Sequence, residues 1–324
     1  MDQAGGASEG SERSRSITLL VSSVSARGRA LRTGRHVAEL LHDGGWDVTV
    51  VVMTSEHSVR AEAGRATSDY LGALGGDGFL TEAAKGARVT GVPLIPFPSG
   101  RGNDLCRSLG IGADPNLWAK VVAQAGMEEI AAWTRPLDAM QVTTWDDEGT
   151  EHKDIALGII SLGVDGAANQ IANESWMRSG PLAYTWGTII GFLGRYTPRR
   201  IKVEIGGKIE EIGGWLFSIS NSGWFGGGVN ILPNSNSQDG KLELLTVDPI
   251  PRWKVLGPLM RVLLSRESND PVVAIRTITD IRILGPVGMA AMADGDVVAH
   301  IPFDVDVVPA ALRVVATNPK EFLK

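Results

Sequence analysis

The chain has 324 residues, a formal net charge of −6 and a single cysteine, Cys106. At that length two domains are expected, because one typical domain takes about 100–150 residues. The acidic balance excludes a general nucleic-acid binder, which needs a basic stripe to displace phosphate counterions, and one cysteine permits neither an internal disulfide nor a multi-cysteine metal site.

Residues 1–16, MDQAGGASEGSERSRS, lack the apolar core of a signal peptide and read as a disordered lead-in. Ile17–Val24 then forms a short β-branched run, expected as a strand, and Leu31–Leu41 a helix. The alternation continues: strand Trp46–Met53, helix Glu56–Ala66, strand Asp69–Leu74, helix Leu80–Ala87 and strand Val92–Pro96. Such alternation predicts a Rossmann-like parallel sheet that takes ligands at the C-terminal ends of its strands.

After about Trp133 the texture changes to strands and glycine turns. Strands are expected at Leu137–Thr144, Ile155–Leu162, Lys241–Val247, Ile281–Leu284 and Phe303–Val308, with a hairpin of Arg200–Ile205 and Glu210–Ile219 around Gly206-Gly207. Helices are expected at Pro181–Arg195 and Arg252–Leu264. The apolar stretch Pro181–Leu193 is too short to span a bilayer, so any membrane contact is peripheral.

Two glycine loops carry the chemistry. The first, LGGDGFLTE (Leu74–Glu82), sets one carboxylate among three glycines at a strand-to-helix turn. Bare backbone there lets N–H groups approach phosphate oxygens at the favourable end of a helix dipole. An acid would repel a bare phosphate, but it makes sense where Mg²⁺ or a proton-donating hydroxyl lies between them. Taken alone, GGDG is equally well an Asx turn with glycines serving geometry.

The second loop, PFPSGRGNDLCRSLG (Pro96–Gly110), repeats the arrangement after the next strand. Adjacent parallel strands put both loops on one rim, and two carboxylates among glycines on one rim read as a nucleoside triphosphate and Mg²⁺ site. The β-rich half adds NSGWFGGGVNILP (Asn221–Pro233), QDGKL (Gln238–Leu242) and MADGD (Met292–Asp296), each of which alone is also a plausible hairpin turn.

In this order the motifs resemble the diacylglycerol kinase catalytic-domain family, in its bacterial lipid kinase branch, which is related to sphingosine kinases. The family's GGDGTLNE stands here as GGDGFLTE and its GTGND as GRGND; Asp138 in RPLDAMQV and Asp165 in SLGVDGAA continue the match, which runs from about Ile17 to Ala316. The resemblance implies an α/β ATP-binding domain over residues 17–133, rejoined by 311–324, and a C-terminal mainly antiparallel β-sandwich domain over 134–310 that takes the lipid. The fold class is then α/β plus β.

It further implies an ATP- and Mg²⁺-dependent kinase that transfers the γ-phosphoryl group to diacylglycerol or a similar lipid alcohol. Such an enzyme is cytoplasmic and peripheral to the inner membrane face, with a lipid rather than a nucleic acid as partner and with a homodimer left open. By motif position, Thr54, Gly75, Gly76, Asp77, Gly78 and Glu82 face the nucleotide on one loop and Gly100, Arg101, Gly102, Asn103 and Asp104 on the other. Thr54 reads equally well as a helix N-cap. Asp77, Asp104 and Asp138 match a water and Mg²⁺ network, while Asp239 with the carbonyls of Asn236 and Lys241 matches a structural Mg²⁺ site, or else a plain turn. The proton acceptor is Asp294, Asp296 or Asp77.

The chain departs from the pattern in four places. Its first loop lacks Asn-Pro-x-Ser-Gly, Phe79 replaces a threonine hydroxyl, Arg101 replaces a threonine, and Asp296 is one methylene shorter than glutamate. Arg101 either contacts phosphate or pairs with Asp77 or Asp104. These changes motivate a second reading, a lipid- or nucleotide-binding homologue without turnover. A third is a kinase of a soluble acceptor such as NAD, whose kinases share a GGDG loop. Trp176, Trp186, Trp215 and Trp224 are read mainly as core.

Overall fold

In the computed structural model, which describes residues 15–23, 29–54, 58–163, 197–225, 228–263, 270–293 and 296–317, the first half alternates strand and helix. Strands β1 (Arg15–Ser22), β2 (Trp46–Met53), β3 (Tyr70–Gly75) and β4 (Leu94–Pro98) run parallel in the order β2-β1-β3-β4. Helices α1 (Arg29–Asp43), α2 (Val59–Ala63), α3 (Asp77–Thr90), α4 (Asp104–Ser108), α5 (Pro115–Gln124) and α6 (Met127–Trp133) connect or flank them. Ile17, Leu19, Leu71, Ala73, Leu94 and Phe97 share one core with α1, α3 and α5, as expected for strands covered on both faces.

Three local expectations are corrected. Arg15 and Ser16, read as the end of a disordered lead-in, open β1, where the Ser16 amide and hydroxyl donate to Asp69 Oδ2 at 2.9 and 2.7 Å. The second helix starts at Val59 rather than Glu56, and its N-cap is Ser58, so Thr54 does not cap it. Helices α5 and α6 went unread, although Asp114 before Pro115 is a start signal: its carboxylate accepts from the amides of Asn116 and Leu117.

The second half contributes β5 (Thr134–Trp145), β6 (Glu151–Ala156), β7 (Ile159–Gly163), β8 (Ile201–Ile205), β9 (Lys208–Ile212), β10 (Leu216–Ser220), β11 (Trp224–Phe225) and β12 (Val229–Asn230). After these come β13 (Leu242–Val247), helix α7 (Arg252–Leu263), β14 (Val273–Ile278), β15 (Asp280–Gly285), β16 (Ala290–Ala293), β17 (Asp296–His300) and β18 (Phe303–Val315). The helix expected at Pro181–Arg195 lies outside the described residues.

Two runs read as single strands are each split between sheets. Residues 155–156 end β6 in the large sheet, while Ile159 starts β7 in a six-stranded sheet ordered β14-β13-β10-β7-β16-β17. Likewise β9 and β10 part at Gly213 and Gly214, whose φ angles of +69° and +159° turn the chain from one sheet to the other. Met140, Val203, Ile283 and Phe303 of the large sheet meet Ile160, Leu162, Phe217 and Leu244 of the smaller one, forming a sandwich core.

One strand joins the halves. The N-terminal part of β18 pairs antiparallel with β15 through residues 303–306, while Val314 pairs parallel with Leu94 of β4, and β5 runs antiparallel along the other side. The β5 register shifts between Val308 and Leu312, at a bulge where Ala310 takes a left-handed φ of 50°. Leu312, Val314, Val315 and Ala316 therefore pack in the first core rather than the second.

Candidate active site

The two glycine loops leave β3 and β4, which are neighbours in register with Gly75 opposite Pro98, and they touch. A Cβ placed on Gly100 would lie 2.7 Å from the Cα of Gly76, a distance that real side chains do not adopt. By contrast, Gly78 at the start of α3 faces open space, where an added Cβ meets nothing within 4 Å. Bare backbone at a helix N-terminus, open on one side, fits a phosphate group. Replacing Gly100 with alanine is expected to push the loops apart by about 1 Å and to lower kcat/KM roughly a hundredfold. Initial rates of label transfer, beside a melting curve that reports any loss of fold, check this.

Asn103 stands between the loops in a left-handed conformation, φ 53°, that asparagine tolerates better than most residues. It is buried, and its Oδ1 accepts the Gly100 amide at 2.8 Å, so the side chain closes the second loop on itself. Asp77 sits across from it at the first turn of α3. Its Oδ1 accepts the Leu105 amide at 3.2 Å. Burial raises the Asp77 carboxyl above the ordinary aspartate value, and the backbone amides of Leu105, Asp104 and Asn103 partly offset that rise. The acid of one loop thus caps the short helix α4 that the other loop opens into.

Asp104 reaches the other half of the molecule, where its Oδ1 accepts the Gly228 amide at 2.8 Å. Arg107, one turn on, closes the same junction: its Nε donates to the Gly102 carbonyl at 2.9 Å, its guanidinium lies 5.9 Å from the Trp224 ring, and a Cβ on Gly228 would approach its Nε to 2.9 Å. Arg107 went unread as a site residue. Its signal was Gly228, whose bare backbone leaves room for a large cation.

Asp138 is 2% exposed, and each of its carboxylate oxygens accepts a backbone amide. Its Oδ2 accepts the Gly240 amide and its Oδ1 the Ala310 amide, both at 2.8 Å, while its own amide donates to the Ser237 carbonyl. Asn221 Nδ2 donates to the Asp138 carbonyl at 2.8 Å and to Leu157 at 3.2 Å, and the buried Asn221 Oδ1 has no protein partner, which fits an ordered water. Register links this node to the C-terminal motif. Ile159 pairs with Ser220 and Ile160 with Ala293, so the β16–β17 connection lies at the same end of the sheet as Asn221.

Asp296 is exposed at the start of β17, and Asp294 lies outside the described residues. Asp239 and Asn236 are exposed on a turn, where their side chains accept the amides of Lys241 and Gln238 at 3.0 and 3.2 Å. No group of three His, Cys, Asp or Glu side chains among the described residues comes within metal-holding range. Asp77, Asp104 and Asp138 do not form such a group.

The other expected nucleotide contacts are Glu82, Thr54 and Arg101. Glu82, about 140° around α3 from Asp77, accepts from Lys85 Nζ at 2.6 Å, and Lys85 also donates to Asp154 at 2.7 Å. Thr54 and Arg101 are exposed, and no ion pair among the described residues links Arg101 to Asp77 or Asp104. Phe79 is 2% exposed in the first core, where its ring fills the space that a Cβ on Gly75 would take. The lost hydroxyl at that position therefore faces the core and not the phosphate opening.

Comparison with known proteins agrees with this geometry. Residues 16–135 match the diacylglycerol kinase catalytic domain and residues 158–316 the YegS C-terminal NAD kinase β-sandwich-like domain. A diacylglycerol kinase of Mycobacterium tuberculosis is 27% identical over 304 residues, covering 92% of this chain and 94% of its own. "Probable lipid kinase YegS-like" of Klebsiella pneumoniae is 26% identical over 290 residues, covering 86% and 89%. A solved structure of a diacylglycerol kinase from Bacillus anthracis shares the fold at 16% identity, with a TM-score of 0.69 over 94% of this chain and 98% of that one. With the two domains in this order and the glycine loops meeting between them, the chain belongs to the diacylglycerol kinase catalytic-domain family.

Proposed function

We propose that this lipid kinase transfers the γ-phosphoryl group of ATP to the hydroxyl of diacylglycerol or a similar lipid alcohol. The observation that carries the reading is the contact of the two glycine loops at Gly76 and Gly100 beside the open N-terminus of α3. Phosphoryl transfer asks the protein mainly for positioning and for dipoles aimed at the charge on the γ-phosphate. Backbone amides at Gly76–Phe79 and the second loop supply those dipoles.

Magnesium, when bound with the nucleotide, neutralises phosphate charge. It keeps several waters and needs only one or two protein carboxylates, for which Asp77 and Asp104 are the residues in reach of the loops. We assign Asp77 to loop positioning, since its oxygen already takes an α4 amide, and the proton-accepting role to the Asp294–Asp296 edge. One motive for a degenerate homologue falls away, because Phe79 is a core residue.

The test incubates the full chain with Mg²⁺, γ-labelled ATP and mixed micelles of diacylglycerol, ceramide, sphingosine and prenol, with NAD in a parallel tube. Label extracted into diacylglycerol or another of these lipid alcohols is expected. Label in NAD alone, or ATP binding with no labelled product, overturns the proposal.

A further inference from the structure

We infer that the outward face of helix α7 is a docking surface for an anionic membrane, an inference that rests on the lipid kinase reading and names the surface it would use. A surface helix ordinarily carries one apolar stripe, turned to the core. Helix α7 carries two. Val255, Leu259 and Val262 are buried, Val255 and Val262 in a cluster with Trp215, Leu245 and Val247. On the outside, Trp253 is 78% exposed and Leu256 44% exposed, three positions apart and so on one ridge.

The charge around that ridge is one-sided. Arg252, Lys254 and Arg261 belong to the helix, which has no acid, in a chain whose net charge is −6. Two acids beyond its ends are ion-paired, Asp270 with Arg261 of the helix and Asp248 with Arg200, each at 3.5 Å. Lys254 Nζ stands 4.9 Å from the Trp253 ring centroid, which holds an ammonium and an indole side by side. Tryptophan beside lysine, with leucine on the same ridge, is the side-chain set that settles at the headgroup level of a bilayer. Among the described residues no helix is long and apolar enough to cross a membrane, so α7 would lie on the surface rather than enter it.

Position supports the same occupant. The cluster under α7 also packs Phe225 and Val229 of β11 and β12, the hairpin whose neighbouring Gly228 amide donates to Asp104. The apolar ridge and the glycine loops are therefore held on one packed body, and a membrane bound at α7 is placed against the half that would receive the lipid. A second copy of the chain fits the ridge less well, because symmetric pairing would set Arg252 and Lys254 of both copies against one another.

The test is flotation of the full chain on vesicles of phosphatidylcholine alone and of phosphatidylcholine with phosphatidylglycerol, at low and high salt. The parent is expected to float on the anionic vesicles only. The Trp253→Ser, Leu256→Ser double variant is expected to partition about tenfold more weakly and Lys254→Ala roughly fivefold more weakly, with unchanged melting temperatures because these side chains leave no core. Turnover of a dissolved short-chain diacylglycerol should be equal in parent and variants, while turnover of vesicle-embedded diacylglycerol falls with binding. A parent that floats but phosphorylates no lipid sinks the proposed function and supports the docking face. A parent indifferent to phosphatidylglycerol, a double variant that floats like the parent, or a dimer in sedimentation that the double variant abolishes, overturns the docking face.

Discussion

Replacing Asp138 with alanine is expected to lower unfolding free energy by about 3–5 kcal/mol, a large share of the roughly 5–15 kcal/mol that holds a typical domain. The buried carboxylate satisfies two part-buried amides that no ladder can reach. Gly240 donates from a turn at φ +69°, and Ala310 donates from the β18 bulge. Each hydrogen bond to the charged carboxylate contributes about 1.5–3 kcal/mol. Asparagine is expected to rescue little, since its NH₂ would face one of those N–H groups, donor against donor. Urea denaturation of parent, Asp138→Ala and Asp138→Asn checks this, and a midpoint unchanged in both variants would remove Asp138 from its structural role.

The Asp77→Ala variant is expected to lose about 100-fold or more in kcat, because deleting the α4 cap loosens the second loop at the phosphate opening. Asparagine separates the two roles open to this side chain. It keeps one acceptor oxygen for Leu105, so a positioning role predicts that Asp77→Asn recovers most of the loss. A proton acceptor predicts that Asn is as inactive as Ala. Label transfer from ATP to lipid under saturating substrate decides between them.

Asp77 also gives a signed pH dependence. Its folded carboxyl holds a proton more tightly than the unfolded one, chiefly through burial. Its contribution to stability is thus greatest below the unfolded value and is lost as pH rises through the folded value. Relative to Asp77→Asn, the parent's melting temperature should therefore improve as pH is lowered toward 3.8. A constant difference between the two across that window would contradict the burial described here.

The parallel half was legible because β1, β3 and β4 are largely buried on both faces and read as continuous apolar runs, and the glycine loops were legible because bare backbone is a property of composition. What the residues could not show was direction. Phe79 reads as a missing hydroxyl until α3 is seen to begin at Asp77, which turns residue 79 toward Gly75 and the core. Asp138 reads as a metal ligand by motif, yet its partners lie 102 and 172 residues away on backbone that no local pattern marks. The splits at Leu157-Gly158 and Gly213-Gly214 were hidden for a similar reason, since a strand that changes sheets keeps its apolar alternation. Arg107 was hidden because the residues it meets, Trp224 and Gly228, lie far along the chain in the other half.

The strand shared by both halves has a consequence for synthesis. Leu94 of β4 waits for Val314, about 220 residues further along the chain, which at 5–20 residues per second is roughly 10–45 s of translation. During that interval the edge of the nascent parallel sheet stands open, a template on which a wrong strand can pair. The same strand that closes this edge also closes the sandwich, so both cores reach their final form together, in one late step.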